Sequence, residues 1–370
     1  MSEQDRKLEI IRAWMADHKV SGLYLQSAAS FAWATCGAAS YINTASTNGL
    51  ASLLITHDRR YLITTNIEAP RLEKEEQLGS QGWEFQVTPW YESHSVVAEL
   101  SHGLSLASDS PLPGAIDLSS ELALLRANLT PEEGERFRQL GKRCAKAMDT
   151  AARAVRPGQT EYEIGARMIA EAARQGVQAT VNLVATDERI YSYRHPLPTH
   201  KKLAKYAMLI LCGRQYGLVC SLTRLVHFGS LSEELKRKAA ACSQVDATFI
   251  ASTRPGETLG DIFEKAAAVY AANDYPGEWQ KHHQGGAAGY EPREFLAVPG
   301  SPDRVTVGQA YAWNPSITGC KSEDTILVGK DGNEVLTEIP GWPVTIIDGI
   351  SRPDILVITQ WNDINSFISI

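Results

Sequence analysis

The chain has 370 residues, 44% of them apolar and 21% charged, with a net charge of −7. That length supports two domains with proper cores, and the composition is that of an ordinary globular protein. The acidic balance argues against nucleic acid as a partner, and no apolar run approaches the roughly 18 residues that a bilayer span needs, so no membrane partner is expected.

The first residues, MSEQDRKLEIIRAW, are charged and helical rather than a secretory leader. Six cysteines at 36, 144, 212, 220, 242 and 320 show no CxxC and no regular spacing. They read as reduced core residues and set the expectation of a cytoplasmic protein.

Leu8, Ile11, Trp14 and Met15 recur at helical spacing and predict a helix from Arg6 to about His18. SGLYLQS then reads as a strand, and SFAWATC, LASLLIT and YLITTN as further strands separated by turns. A polar turn at 57–60 predicts a hairpin end, and a helix over 68–77 and a strand over 83–87 follow. The Pro- and Ser-rich DSPLPGAIDLSS marks the approach to a boundary near residue 127. The predicted organisation is an α/β domain over 1–127, a second domain over 128–352 and a tail over 353–370.

The second domain opens on Thr130-Pro131-Glu132-Glu133, a capping threonine with a glutamate three residues on. Its helix runs to about Val155, and RPGQTEYEI begins the next one. The chain writes RPGETLGDI 254 − 156 = 98 residues later, with Thr258 for Thr160 and Asp261 for Glu163. Long helices flank both copies, so the pattern reads as an internal duplication of about 100 residues. Two α-β halves of this kind place a binding site at the seam between them.

Residues 209–229, LILCGRQYGLVCSLTRLVHFG, read as two strands joined at Gln215-Tyr216-Gly217. The stretch resembles the metal hairpin of the pita-bread family, which includes methionine aminopeptidases, prolidase, Xaa-Pro aminopeptidase and creatinase. The resemblance implies an α/β fold: an N-terminal domain of creatinase/prolidase type, then a pita-bread domain of duplicated α-β halves. It covers roughly 125–350 strongly and the earlier residues more loosely. In metal-dependent members two Asp, one His and two Glu hold a pair of divalent ions. Carried over, these positions are Leu211, Leu222, His283, Asn314 and Glu323, and the separation 222 − 211 = 11 matches the family's. Only His283 and Glu323 keep ligand chemistry, and two leucines facing the site would desolvate an ion. No metal and no cofactor is therefore expected.

Creatinase has this fold, lacks metal and uses a histidine. Its place here is His195, in YRHPLP. The resemblance implies a metal-independent hydrolase of a C–N bond in a small polar molecule, an amide, amidine or N-substituted amino acid. His195 would be general base and then acid, assisted by Glu323 and His283. A lyase using the same histidine stays open. Tyr290 stands seven residues after His283, where the peptidases carry another histidine. Trp313, Asn314, Tyr290, Arg194, Arg224, Leu211 and Leu222 are the expected substrate contacts, with a structural salt bridge the preferred reading of Arg224. A homodimer is expected, with the N-terminal domain of the second subunit near the site. The alternatives are a non-catalytic pita-bread binding module and a metallo-aminopeptidase of Xaa-Pro type with atypical ligands.

Overall fold

The structure, a computed structural model, describes residues 1–92 and 96–359. Its residues gather into two compact units. The first comprises Met1–Arg136, Gln215–Val219 and Gly289–Glu294, and the second comprises Phe137–Arg214, Cys220–Ala288 and the chain from Phe295 onward.

The first unit is built on a six-stranded mixed sheet. Its strands in spatial order are Glu84–Thr88, Arg60–Thr65, Asn48–Thr56, Gly22–Ser27, Leu106–Ser108 and Ile116–Asp117. The central strands alternate little because both faces are covered: Leu53, Leu54 and Ile55 are all fully buried. The amphipathic helix Glu3–Asp17 starts on a capping box between Ser2 and Asp5. SFAWATC is not a strand. Ser27 accepts a hydrogen bond from the Ser30 amide and caps the helix Ala28–Ala34, every residue of which is buried. An element apolar on all sides carries no period that tells strand from helix.

The turn Tyr216-Gly217 belongs to this first unit, and both residues have positive φ, 53° and 75°. A Cβ on Gly217 would lie 2.3 Å from Ala32 Cβ and 2.8 Å from Tyr290 Cδ1. Gly217→Ala is therefore expected to cost about 1–3 kcal/mol, read as a lowered urea midpoint. Gly114→Ala is the control, because its φ of 82° is similar and nothing lies within 4 Å of the added carbon. Equal losses in the two variants would show that strain alone, and no clash, acts at Gly217.

Beside two short two-stranded sheets, the second unit carries two larger ones. One has the order Leu356–Ile358, Leu218–Phe228, Tyr206–Gln215, Gln178–Thr186. The other has the order Phe295–Leu296, Gly285–Ala288, Ala310–Trp313, Asp324–Val328, Asn333–Val335. Thr223 and Glu323 form a β-bridge that ties one sheet to the other. Helices Pro131–Arg153, Glu161–Arg174, Glu233–Ser252 and Leu259–Ala272 supply the α layer.

The duplication is visible in hydrogen bonds. Thr160 caps the helix at Glu161 and bridges to Lys202, while Thr258 caps the helix at Leu259 and bridges to Arg304. The Gly158 amide donates to the Leu203 carbonyl and the Gly256 amide to the Val305 carbonyl, both at 2.8 Å. The tail expectation changes: Leu356–Ile358 is a strand, parallel to 226–228. The remainder of that tail, 360–370, lies outside the described residues.

Candidate active site

The strand Leu218–Phe228 is buried on both faces, so its alternation must be read from partners. Thr223 Oγ1 donates to Glu323 Oε2 at 2.6 Å, and Ser221 Oγ lies 3.2 Å from Cys212 Sγ. Ser221 and Thr223 therefore share the face that meets Glu323. Cys220, Leu222 and Arg224 occupy the other face. There the Cys220 thiol meets Cys144 of the helix Pro131–Arg153, and burial with that contact pushes its pKa well up. Arg224 donates to Asp324 Oδ1 at 2.8 Å and to the Thr337 carbonyl at 2.9 Å.

The neighbouring strand gives the same answer. A Cβ on Gly213 would lie 2.4 Å from Cys144 Sγ and 2.7 Å from Val177, so Gly213 faces the helices. Leu211, two residues away, shares that face, and Cys212 points to Ser221. The expectation that Leu211 and Leu222 face the site is thus corrected. Both pack toward the helices, and the inner face carries Cys212, Ser221 and Thr223. Neither they nor Arg224 line the Glu323 side; Arg224 takes the structural salt bridge.

Three histidines come together. His195 Nε2 and His282 Nε2 lie 2.9 Å apart, and His282 stacks on His283 with ring centroids 4.3 Å apart. A ligand nitrogen from each of His195, His282 and His283 lies within 4.8 Å of the others. His195 is exposed and His282 buried. Burial, then the charges of Lys321 and its neighbours, pulls the His282 pKa down to about 2. His282 is therefore held as a neutral imidazole whose Nε2 bonds His195 Nε2. Motif position pointed to His283, yet His282 is the residue that bonds His195.

Lys321 is the group sequence reasoning missed. It is buried on the short strand Cys320–Lys321, with Nζ 3.4 Å from Glu323 Oε2. Its signal was faint: a lysine two residues before the motif glutamate, on a stretch otherwise buried. Arg194 donates to Glu278 Oε2 at 2.6 Å and to Thr318 Oγ1 at 3.1 Å. Against its burial, bonds from Lys281, then Thr318, then Arg194 hold Glu278 near a pKa of 2. Arg194 is thus engaged by protein, though it also lines a small cavity with His282, Ser316 and Lys321.

The remaining candidates separate. Trp313 stacks on Phe249 at 4.5 Å and donates to Thr253 Oγ1 at 3.0 Å, so it packs among the helices rather than in the site. Asn314 is buried, and its Oδ1 lacks a hydrogen-bond partner among the described residues. Tyr290 belongs to the first unit, where its hydroxyl donates to Glu133 Oε1 at 2.5 Å. Lys7 is paired with the same carboxylate and lies over the Tyr290 ring. Tyr290 is thus part of a buried ion-pair cluster.

Metallopeptidase family M24 matches residues 135–330. A protein named as an uncharacterized peptidase, from Staphylococcus haemolyticus, is 27% identical over 232 residues, covering 60% of this chain and 65% of that protein. The chain therefore spans less than two thirds of that relative's own length. The Xaa-Pro dipeptidase from Bacillus anthracis superposes with a TM-score of 0.77 at 19% identity, over 96% of this chain and all of that one. The prolidase from Pyrococcus horikoshii OT3 also gives 0.77 at 19% identity, over 90% of this chain and 98% of that one. At these identities the superpositions establish the fold: an N-terminal α/β domain followed by a pita-bread domain.

Proposed function

The chain belongs to metallopeptidase family M24, and on that premise we propose that it hydrolyses a C–N bond in a small peptide-like molecule with His195 moving the proton. The family match and the peptidase names of its relatives favour a peptide substrate over the amidine or N-alkyl compounds that creatinase suggested. An Xaa-Pro dipeptide is the first class to try. The same comparisons favour a hydrolase over a lyase, and they favour the metallo-aminopeptidase alternative over a metal-independent enzyme.

The family name implies ions, and a paired-ion centre does not fit these residues. Two hard cations need several oxygen donors. Among the described residues the inner face offers one carboxylate, Glu323, whose Oε2 already meets Thr223 and Lys321. Neighbouring carboxylates are engaged: Asp324 by Arg224 and Arg352, Glu278 by Arg194 and Thr318, Glu161 by Arg189 and Thr199. A lysine held beside the last ligand position would repel divalent cations placed there.

The proton work falls to this chain's own side chains. His195 is exposed, so it reaches a water and a substrate from the solvent side. It accepts a proton from the attacking water as the O–C bond forms, then returns it to the leaving nitrogen as C–N breaks. His282, neutral and bonded to His195 at 2.9 Å, fixes the ring and its tautomer. That pair beside the Lys321–Glu323 ion pair is the observation that carries the reading.

A second reading keeps one ion. The nitrogens of His195, His282 and His283 are close enough to share a single zinc-like cation. Against it, the charges acting on His282 are those of Lys321, His283, His195 and Arg194, all cationic, where a metal-bound imidazole ordinarily has a carboxylate partner.

The test is hydrolysis of a panel of Xaa-Pro and other dipeptides by chelator-treated protein, followed by mass spectrometry of products. Turnover lost in His195→Ala supports the reading. No turnover in any arm, with or without added divalent ions, favours a non-catalytic binding module. Size-exclusion chromatography of the same sample tests the homodimer.

A further inference from the structure

We infer that Lys321 is this site's fixed cation and that it holds an anionic oxygen of the substrate, with Ser316 and His282 beside it. The inference rests on the hydrolase reading and names the group that receives the substrate.

Three observations carry it. Lys321 is buried, and its Nζ approaches Glu323 Oε2 only to 3.4 Å, while Thr223 Oγ1 takes that same oxygen at 2.6 Å. An ammonium has three donors and prefers a carboxylate at about 2.7–2.9 Å, so this contact uses one of them weakly. Second, Ser316 sits directly across from Lys321 in the hairpin of 316–317 and 320–321, on the same face. Its Oγ is buried and has no hydrogen-bond partner among the described residues, and the same holds for His282 Nδ1. Third, Arg194, His282, Ser316 and Lys321 line one cavity of about 10 Å³, with the exposed Tyr193 on its wall. That volume admits roughly one water, or one oxygen atom of a ligand, and its polar groups converge on it between the apolar walls of Ile190, Met208 and Cys320.

Burying a lysine beside one carboxylate is a poor route to stability, since an apolar pair of like size serves as well or better. A cation aimed at an oxygen-sized cavity serves chemistry. A carboxylate oxygen entering it would be recognised in the ground state. The oxygen of a carbonyl under attack would be met as its charge develops, where a preorganised cation acts most strongly.

The experiment measures binding and kinetics in Lys321→Met, Lys321→Arg and the double variant Lys321→Met/Glu323→Gln. The double variant leaves no unpaired buried carboxylate and so protects against simple unfolding. The probes are proline and glycyl-proline, which carry a carboxylate, and a phosphinic pseudo-dipeptide, which mimics the tetrahedral oxyanion. Removing the charge is expected to weaken binding by about 10- to 100-fold in both Met variants, with much of it kept in Lys321→Arg. Loss of proline binding with raised KM assigns the carboxylate, and loss of phosphinate binding with lowered kcat assigns the oxyanion. Equal binding by wild type and folded variants overturns the inference, as does a wild type that binds none of the probes. If His195-dependent turnover survives intact in the Lys321 variants, the inference falls and the hydrolase reading stands. If no dipeptide is cleaved yet proline binding needs Lys321, the reverse holds.

Discussion

His195→Ala is expected to lower kcat/KM on any dipeptide the protein cleaves by about 10²- to 10⁴-fold, the range for losing a positioned general base. The effect falls on the chemical step because His195 is exposed and is the proposed proton carrier. Thermal stability is expected to fall by no more than about 1–3 kcal/mol, the cost of leaving the buried His282 Nε2 without its partner. His282→Gln keeps a hydrogen-bonding group but not the ring, and is expected to lower kcat less, because His282 acts through His195. His283→Ala, which removes the stack on His282 and the ring contact with His195 but not the His195–His282 bond, is expected to cost least. Steady-state kinetics on all three variants checks the order. A His195→Ala protein within threefold of wild type would remove the proton carrier from the proposal.

Arg352→Met carries the largest expected effect on folding. Arg352 is fully buried, with Nη2 2.6 Å from Asp246 Oδ2 and 2.7 Å from Asp324 Oδ2. Burial already pushes the Asp246 carboxyl up, even beside that guanidinium. Asp324 keeps Arg224, whereas Asp246 would keep only the Ser322 hydroxyl. Leaving an uncompensated buried charge costs about 3–5 kcal/mol, a large share of a domain's stability. The urea midpoint is expected to fall accordingly. The double variant Arg352→Met/Asp246→Asn should recover part of the loss, because it removes the stranded charge as well. A single variant as stable as wild type would show that the cluster contributes little.

The sequence carried the architecture well because its signals were local. The capping threonines Thr160 and Thr258, each with an acid three residues on, place the repeated helices correctly, and their bridges repeat in space. The site was legible only in part. Leu211 and Leu222 were assigned to the site by motif spacing, but both strands are buried on both faces, so nothing in their composition reveals which face looks inward. The answer lies in distant partners, Cys144 beside Gly213 and Glu323 beside Thr223. His282 and Lys321 escaped for a related reason. Each adjoins or nearly adjoins a motif residue, and only tertiary packing shows that His282 bonds His195 and that Lys321 pairs with Glu323. SFAWATC failed as a strand because a wholly buried helix has no polar face to declare its period.

In the proposed mechanism a lysine and a histidine pair do here what divalent ions do in a metallopeptidase. Elemental analysis after dialysis against excess Mn²⁺, Co²⁺ or Zn²⁺, and then against buffer, tests it most directly. Well under one ion per chain is expected, since one carboxylate beside an ammonium is too poor a donor set. Two tightly held ions per chain, released on His283→Ala or Glu323→Gln, would contradict it.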